Sequence, residues 1–403
     1  MADEPVRSPG FSTRALRAAS RVPRVMQAPN AVPIYQAVTY SAEESEELGA
    51  VLQGRREGYA YSRLGHPTAT ILADAITTLE GGEAGLTFDS GMGAISGTLS
   101  AHLGQGDHIV VTRAVYGSTR ALITTVLARF GITATFVDPT DLPAVEAAIT
   151  PRTRVMYLET ISNPTLVVAD LAALAALGHR HGLTVVVDNT FASPYLCRPL
   201  ELGADLVIES CTKWLGGHSD VLAGSVSGSR ELVAPIAATQ IDIGGTIAPF
   251  SAFLVLRGIE TLAVRLDRHC ATALALARQA QDSPVPRAVF YPGLPSHPQA
   301  AVAARQLRAG GGLLALDLGA RDAAAAFIDA LTVPQRTASL GSVFTMAVHP
   351  PSTTHRQLSS AELAAAGIAE GLVRISVGLE DVEDLAAELA TGLAAAAAVG
   401  VPA

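Results

Sequence analysis

Between Pro67 and Gly258, short β-branched apolar runs alternate with stretches of helical period. His108–Thr112, Val155–Leu158, Thr184–Val187 and Leu206–Ile208 read as buried strands. Thr119–Phe130 and Asp170–His181 read as helices between them. Such alternation predicts an α/β region built on a large, mostly parallel sheet with helices on both faces. Ile259–Ala280 reads as one long helix leading into a smaller C-terminal α+β region, whose strands include Gly312–Leu318 and Leu372–Val377. The Ala-rich stretch Asp384–Ala398 is a helix former. Up to Arg63, Pro23, Pro29 and Pro33 interrupt any period, so this part reads as an irregular but ordered arm. The expected divisions are therefore 1–63, 64–258 and 259–403.

One lysine stands out against this pattern. The strand Leu206–Ile208 gives way to Ser210, Thr212, Lys213 and the pair Gly216-Gly217. A lysine held at a buried strand end loses its proton readily and can form a Schiff base with an aldehyde. Ser210 and Thr212 add hydroxyls suited to a phosphate, and together they suggest pyridoxal 5′-phosphate (PLP). An ion-paired structural lysine is the alternative. Asp188 closes the strand Thr184–Val187, where ligands lie in open α/β sheets. A carboxylate there can hold a pyridine nitrogen protonated and make the ring an electron sink; a helix N-cap is the plainer reading. Asp89-Ser90-Gly91-Met92-Gly93 follows an apolar run and opens a helical pattern. Amides at a helix N-terminus bind phosphate. A dinucleotide loop, and with it a nucleotide-dependent dehydrogenase, is the competing reading. Ser96 breaks the G-x-G-x-x-G spacing that it requires.

Composition narrows the classes. Lys plus Arg 28 against Asp plus Glu 37 gives a net charge of −9, which argues against nucleic acid as a partner. Three cysteines, Cys197, Cys211 and Cys270, make no disulfide framework and suit a reducing cytoplasm. No apolar run reaches membrane-spanning length, so no membrane partner is expected. His179, His181 and the pair His269-Cys270 do not suggest a metal site; His269-Cys270 reads as helix surface and core.

From about Ser12 to Leu389 the chain resembles the cystathionine γ-synthase/γ-lyase (Cys/Met metabolism) family of PLP enzymes. The resemblance is carried by Tyr61-Ser62-Arg63-Leu64-Gly65-His66-Pro67-Thr68, Leu79-Glu80-Gly81-Gly82, Ser90-Gly91-Met92 and Val115-Tyr116-Gly117-Ser118-Thr119. It continues through Ser162-Asn163-Pro164, Asp188-Asn189-Thr190-Phe191, Ser210 to Asp220, Ser339-Leu340-Gly341 and Val373-Arg374-Ile375-Ser376-Val377-Gly378. It implies the fold type I, aspartate aminotransferase-like architecture and a homotetramer of two catalytic dimers. It further implies that Lys213 binds PLP covalently and shuttles protons, and that Asp188 pairs with the ring nitrogen. Gly91, Met92, Ser210 and Thr212 would hold the phosphate, with Tyr61 and Arg63 reaching over from a neighbouring subunit. Tyr116 would stack on the ring and relay protons, and Asn163 would bond the ring oxygen. Arg374, with Ser339 beside it, would hold the substrate carboxylate.

Within the family, several positions bear on the substrate. Ser118 stands where methionine γ-lyases commonly carry Cys, and Phe344 where cystathionine enzymes usually have Glu. A phenyl ring in place of that carboxylate favours a short apolar γ-substituent. The expectation is a methionine γ-lyase-like γ-elimination yielding 2-oxobutanoate, ammonia and a thiol. Thr354-His355-Arg356-Gln357-Leu358-Ser359 resembles O-acylhomoserine sulfhydrylases. γ-Replacement, as in those enzymes or cystathionine γ-synthase, is therefore the alternative, with cystathionine γ-lyase a further one.

Overall fold

Four residues of high strand propensity, Thr184 to Val187, seed the middle of a seven-stranded sheet, and Val185, Val186 and Val187 are fully buried within it. In this computed structural model, residues 29–399 are described. The strands are β1 (Ala84–Phe88), β2 (His108–Thr112), β3 (Thr133–Val137), β4 (Thr153–Glu159), β5 (Thr184–Asp188), β6 (Leu206–Glu209) and β7 (Gly224–Gly228). Their order is β1-β7-β6-β5-β4-β2-β3. Only β7 runs against its neighbours; β6, β5, β4, β2 and β3 are parallel. The expected mostly parallel sheet is thus observed. Its antiparallel member, Gly-Ser-Val-Ser-Gly, carries too little apolar character to stand out in the sequence.

A second sheet follows the long helix Leu262–Asp282. It comprises β8 (Ala288–Phe290), β9 (Leu313–Asp317), β10 (Gln335–Arg336), β11 (Met346–Val348) and β12 (Leu372–Ser376), in the order β10-β11-β12-β9-β8. Alternate residues of β9 and β12 serve two cores. Leu313, Ala315 and Leu372 join Val110, Met156 and Val185 of the large sheet, while Leu314, Leu316 and Val373 pack with Phe327 and Leu389. The compact body starts at Ile34. Among the described residues no helix is long and apolar enough to cross a membrane.

Three local expectations are corrected. The stretch before Arg63 is not wholly irregular, because Ser45–Leu52 is a helix with Glu46 and Glu47 in its first turn, where they complement the helix dipole. The rest of that expectation, up to residue 28, lies outside the described residues. Thr119–Phe130 is not one helix. A short helix Gly117–Ala121 passes into a π turn Leu122–Val126 and a 3₁₀ turn Leu127–Phe130. Ile123, Thr124, Thr125 and Val126 crowd the turn, and the Thr124 and Thr125 hydroxyls donate back to the carbonyls of Arg120 and Ala121. Ile259–Ala280 is one long helix as expected, Leu262–Asp282, which follows a separate helix, Pro249–Ile259. On the long helix, His269 is buried against the Trp214 ring, 4.9 Å between centroids, rather than on the surface.

Candidate active site

The carboxyl ends of β4, β5 and β6 bring Glu159, Asp188 and Ser210 to one edge of the sheet. A cleft there is lined by Gly91, Met92, Tyr116, Glu159, Asn163, Asp188, Ser210, Thr212, Lys213 and Arg374, among others. Residues far apart in the chain thus meet at one place, the crevice where open α/β sheets bind ligands.

Lys213 follows the end of β6 in a turn whose neighbours admit no side chain. A Cβ on Gly341, whose φ is +78°, would lie 2.8 Å from the Trp214 nitrogen and 2.9 Å from the Lys213 carbonyl carbon. Lys213 Nζ donates to Ser339 Oγ at 2.9 Å. Burial, and then the charge of Arg374, draw the Lys213 amine down to about 8. Arg374 on β12 is fully buried; its Nη1 donates to Asn163 Oδ1 at 2.8 Å and its Nη2 to the Ser339 carbonyl at 2.9 Å. Its Nε has no partner, and burial lowers the guanidinium to about 10. A buried cation held only by neutral acceptors is prepared for an anion.

The helix Gly91–His102 points its N-terminus into the cleft. Ser90 caps it by accepting from Gly93 N at 3.0 Å, which leaves the Gly91 and Met92 amides without partners within the helix. Gly91 is required by contact: a Cβ there would lie 2.7 Å from both Ser210 Cβ and Oγ. Thr212 Oγ1 bonds the backbone of Ala223 as both acceptor and donor, at 3.0 and 3.2 Å. Asp188 accepts from Thr190 N at 3.0 Å and from the Tyr157 hydroxyl at 3.2 Å. Burial pushes its carboxyl up. A cationic ring nitrogen is what such a buried acid lacks. The Gly91 and Met92 amides, the amine and the buried acid fit PLP: the amides at the helix N-terminus would hold its phosphate, Lys213 its aldehyde and Asp188 its ring nitrogen, while the Thr212 hydroxyl proton is already committed to Ala223. The glycine loop opens on the same cleft as Lys213, which leaves the dinucleotide reading without a crevice of its own.

Not every expected residue lies here. Tyr61 and Arg63 are exposed and do not line this cleft; the Arg63 guanidinium donates to the Ile241 carbonyl and lies 5.7 Å from the Tyr61 ring centroid. Ser118 lines an adjoining vestibule with Tyr116, Thr354, Arg356 and Gln357. Phe344 is half exposed and off the cleft wall. The loop explains this: Val343 N donates to the Gly217 carbonyl, while Thr345 N and Oγ1 both bond Glu380, so the residue between them turns outward.

Two features of the site lie outside the sequence motifs. Glu159 ends β4 as Asp188 ends β5, and the two are register partners; the shared strand-end carboxylate was the available signal. The other is a count: Lys213 is the only lysine in 403 residues, every other basic side chain of this kind being arginine. Arginine substitutes for lysine in charge but stays protonated and cannot form a Schiff base, so one lysine is kept where that chemistry needs it.

The family model for "Cys/Met metabolism PLP-dependent enzyme" matches residues 12–394. The chain is 44% identical over 392 residues to L-methionine gamma-lyase of Pseudomonas putida, covering 96% of this chain and 98% of that protein. It is 39% identical over 394 residues to O-succinylhomoserine sulfhydrylase of Pseudomonas aeruginosa, covering 98% and 97%. The crystal structure of cystathionine gamma-lyase from Lactobacillus plantarum complexed with L-serine superposes with a TM-score of 0.85 at 39% identity, over 91% of this chain and 94% of that one. Likeness of this extent, joined to a cleft fitted for PLP around a single lysine, shows that the chain belongs to the Cys/Met metabolism family of PLP-dependent enzymes.

Proposed function

We propose that the protein is a carbon–sulfur lyase that removes the γ-substituent of a sulfur amino acid, methionine first, giving 2-oxobutanoate, ammonia and a thiol. The full-length likeness to the Pseudomonas putida L-methionine gamma-lyase carries this reading. The cleft wall agrees with it. Ile161, Phe191, Leu222 and Leu340 are apolar, and the carboxylates present, Glu159 and Asp188, are already held at the sheet edge. No acid there is left over for a distal ammonium.

In this reading Arg374 binds the α-carboxylate through its planar fork, which Asn163 and Ser339 hold in place. Lys213, drawn down to about 8, takes the proton from Cα and moves it onward. Bound PLP supplies the electron sink for the charge this leaves. Asp188 holds the proton on the ring nitrogen. Tyr116 lines both the cleft and the vestibule, and we assign it proton delivery to the departing sulfur. A second reading, γ-replacement on an O-acylhomoserine, is favoured by the polar vestibule wall of Ser118, Thr354, Arg356 and Gln357 and by the sulfhydrylase relative.

A product screen separates them. Methionine should yield 2-oxobutanoate and methanethiol, with kcat/KM at least about tenfold above that for cystathionine, whose distal ammonium would be desolvated without a partner. Turnover of O-acylhomoserine with sulfide, methionine being left untouched, would replace the lyase by the second reading.

We further propose a homotetramer in which Tyr61 and Arg63 complete the phosphate site of the neighbouring subunit. A phosphate of about −1.5 to −2 charge is incompletely met by amides and hydroxyls alone. Mixed refolding of inactive Arg63→Ala and inactive Lys213→Ala chains should recover up to about a quarter of the sites as intact ones by random pairing, and thus measurable activity. Hybrids shown to form but lacking activity would rule the sharing out.

A further inference from the structure

Glu159 is 5% exposed and lines the cleft. One of its oxygens accepts from the Tyr116 amide at 2.8 Å, the other from the Asn163 amide at 3.1 Å. It is therefore shared between two loops, one following β2 and carrying the Tyr116 ring, the other following β4 and carrying the amide that grips Arg374. Parallel pairing of β4 with β5 sets Glu159 level with Asp188.

We propose that Glu159 is a positioning residue of this cofactor site, whose single carboxylate ties the Tyr116 and Asn163 backbones together and adds a second negative charge level with Asp188. Two backbone N–H donors, one on each oxygen, favour the ionised carboxylate over the neutral acid. Burial and then Asp188 hold its proton affinity well above the usual carboxylate range, against the two amides, which lower it. The groups around it are Asp188 and Tyr157 on the sheet, Tyr116, Lys213 and Arg374 along the cleft, and the Arg113–Asp138 ion pair, which lines a second depression together with Glu159. The second negative charge favours a protonated cofactor–Lys213 chromophore. This inference rests on the PLP cofactor of the family and is independent of the substrate.

The test is a pH titration of the visible absorbance of holoenzyme without substrate, for wild type, Glu159→Gln and Glu159→Asp, followed by kcat and KM. Glu159→Gln keeps the shape, loses the charge and sets an NH₂ against a backbone N–H. Its midpoint should move to lower pH by on the order of one unit, and kcat should fall roughly 10- to 100-fold, as when a group orienting a reacting partner is removed. Glu159→Asp keeps the charge but is too short for both amides. It should hold the wild-type midpoint and lose kcat with KM little changed. Wild-type midpoint and kcat in Glu159→Gln, or equal midpoint shifts in both variants, would overturn the proposal. Should Glu159→Gln fail to take up cofactor, Glu159→Asp decides alone: wild-type kcat overturns the proposal and reduced kcat at an unchanged midpoint supports it.

Discussion

Lys213→Ala should lose turnover by roughly 10⁴-fold or more, the scale on which removal of a covalent catalytic group acts. Lys213→Arg should not rescue it, because a guanidinium keeps its proton and cannot condense with an aldehyde. The surroundings make the amine ready for that condensation. Burial draws it down to about 8, and Ser339 Oγ accepts its hydrogen bond at 2.9 Å. The nucleophile is the neutral amine. Covalent capture of PLP by cofactor-free protein should therefore speed up about tenfold per pH unit up to about pH 8 and then level off. An amine with the ordinary lysine value would go on accelerating toward pH 10.4 or so. Stopped-flow absorbance across this range, with wild type and both variants, reads the kinetic and covalent consequences together.

Arg374→Ala should cost about 10²- to 10³-fold in kcat/KM for any α-amino acid substrate, through loss of a charge-assisted bidentate contact worth about 2–5 kcal/mol. The guanidinium is buried and its partners, Asn163 Oδ1 and the Ser339 carbonyl, are neutral, so its charge is unmatched until a carboxylate arrives. Arg374→Lys should recover only part of the loss, as a point charge cannot reproduce two parallel bonds. Amines lacking the carboxylate should be equally poor with wild type and variant. A kcat/KM for methionine within threefold of wild type in Arg374→Ala would show that the substrate carboxylate binds elsewhere.

The chain announced its sheet plainly where strands are wholly apolar. His108–Thr112 coincides with β2, and Thr184–Val187 falls inside β5, because strands buried on both faces read as continuous β-branched runs. Lys213 and Asp188 stood out because each carries a charge at the end of such a run, whereas Arg374 was marked only by the family resemblance; the structure brings the three together. Glu159 was hidden because its bonds go to backbone amides of two loops, and an amide donor leaves no mark in side-chain pattern. The broken segment Thr119–Phe130 kept a helical period, yet hydroxyls bonding back to carbonyls unwound it. Phe344 was read from its neighbours in sequence, whereas Glu380, 36 residues on, holds the next residue and turns the ring outward.

The most direct test of the central claim exploits the lone lysine of the chain. Holoenzyme is reduced with borohydride, its intact mass is recorded and its peptides are mapped. One pyridoxyl phosphate per chain, on the peptide containing Lys213, is the predicted result. A reduced protein whose Lys213 peptide is unmodified, with the cofactor either released or found on the chain's α-amino group, would contradict the account.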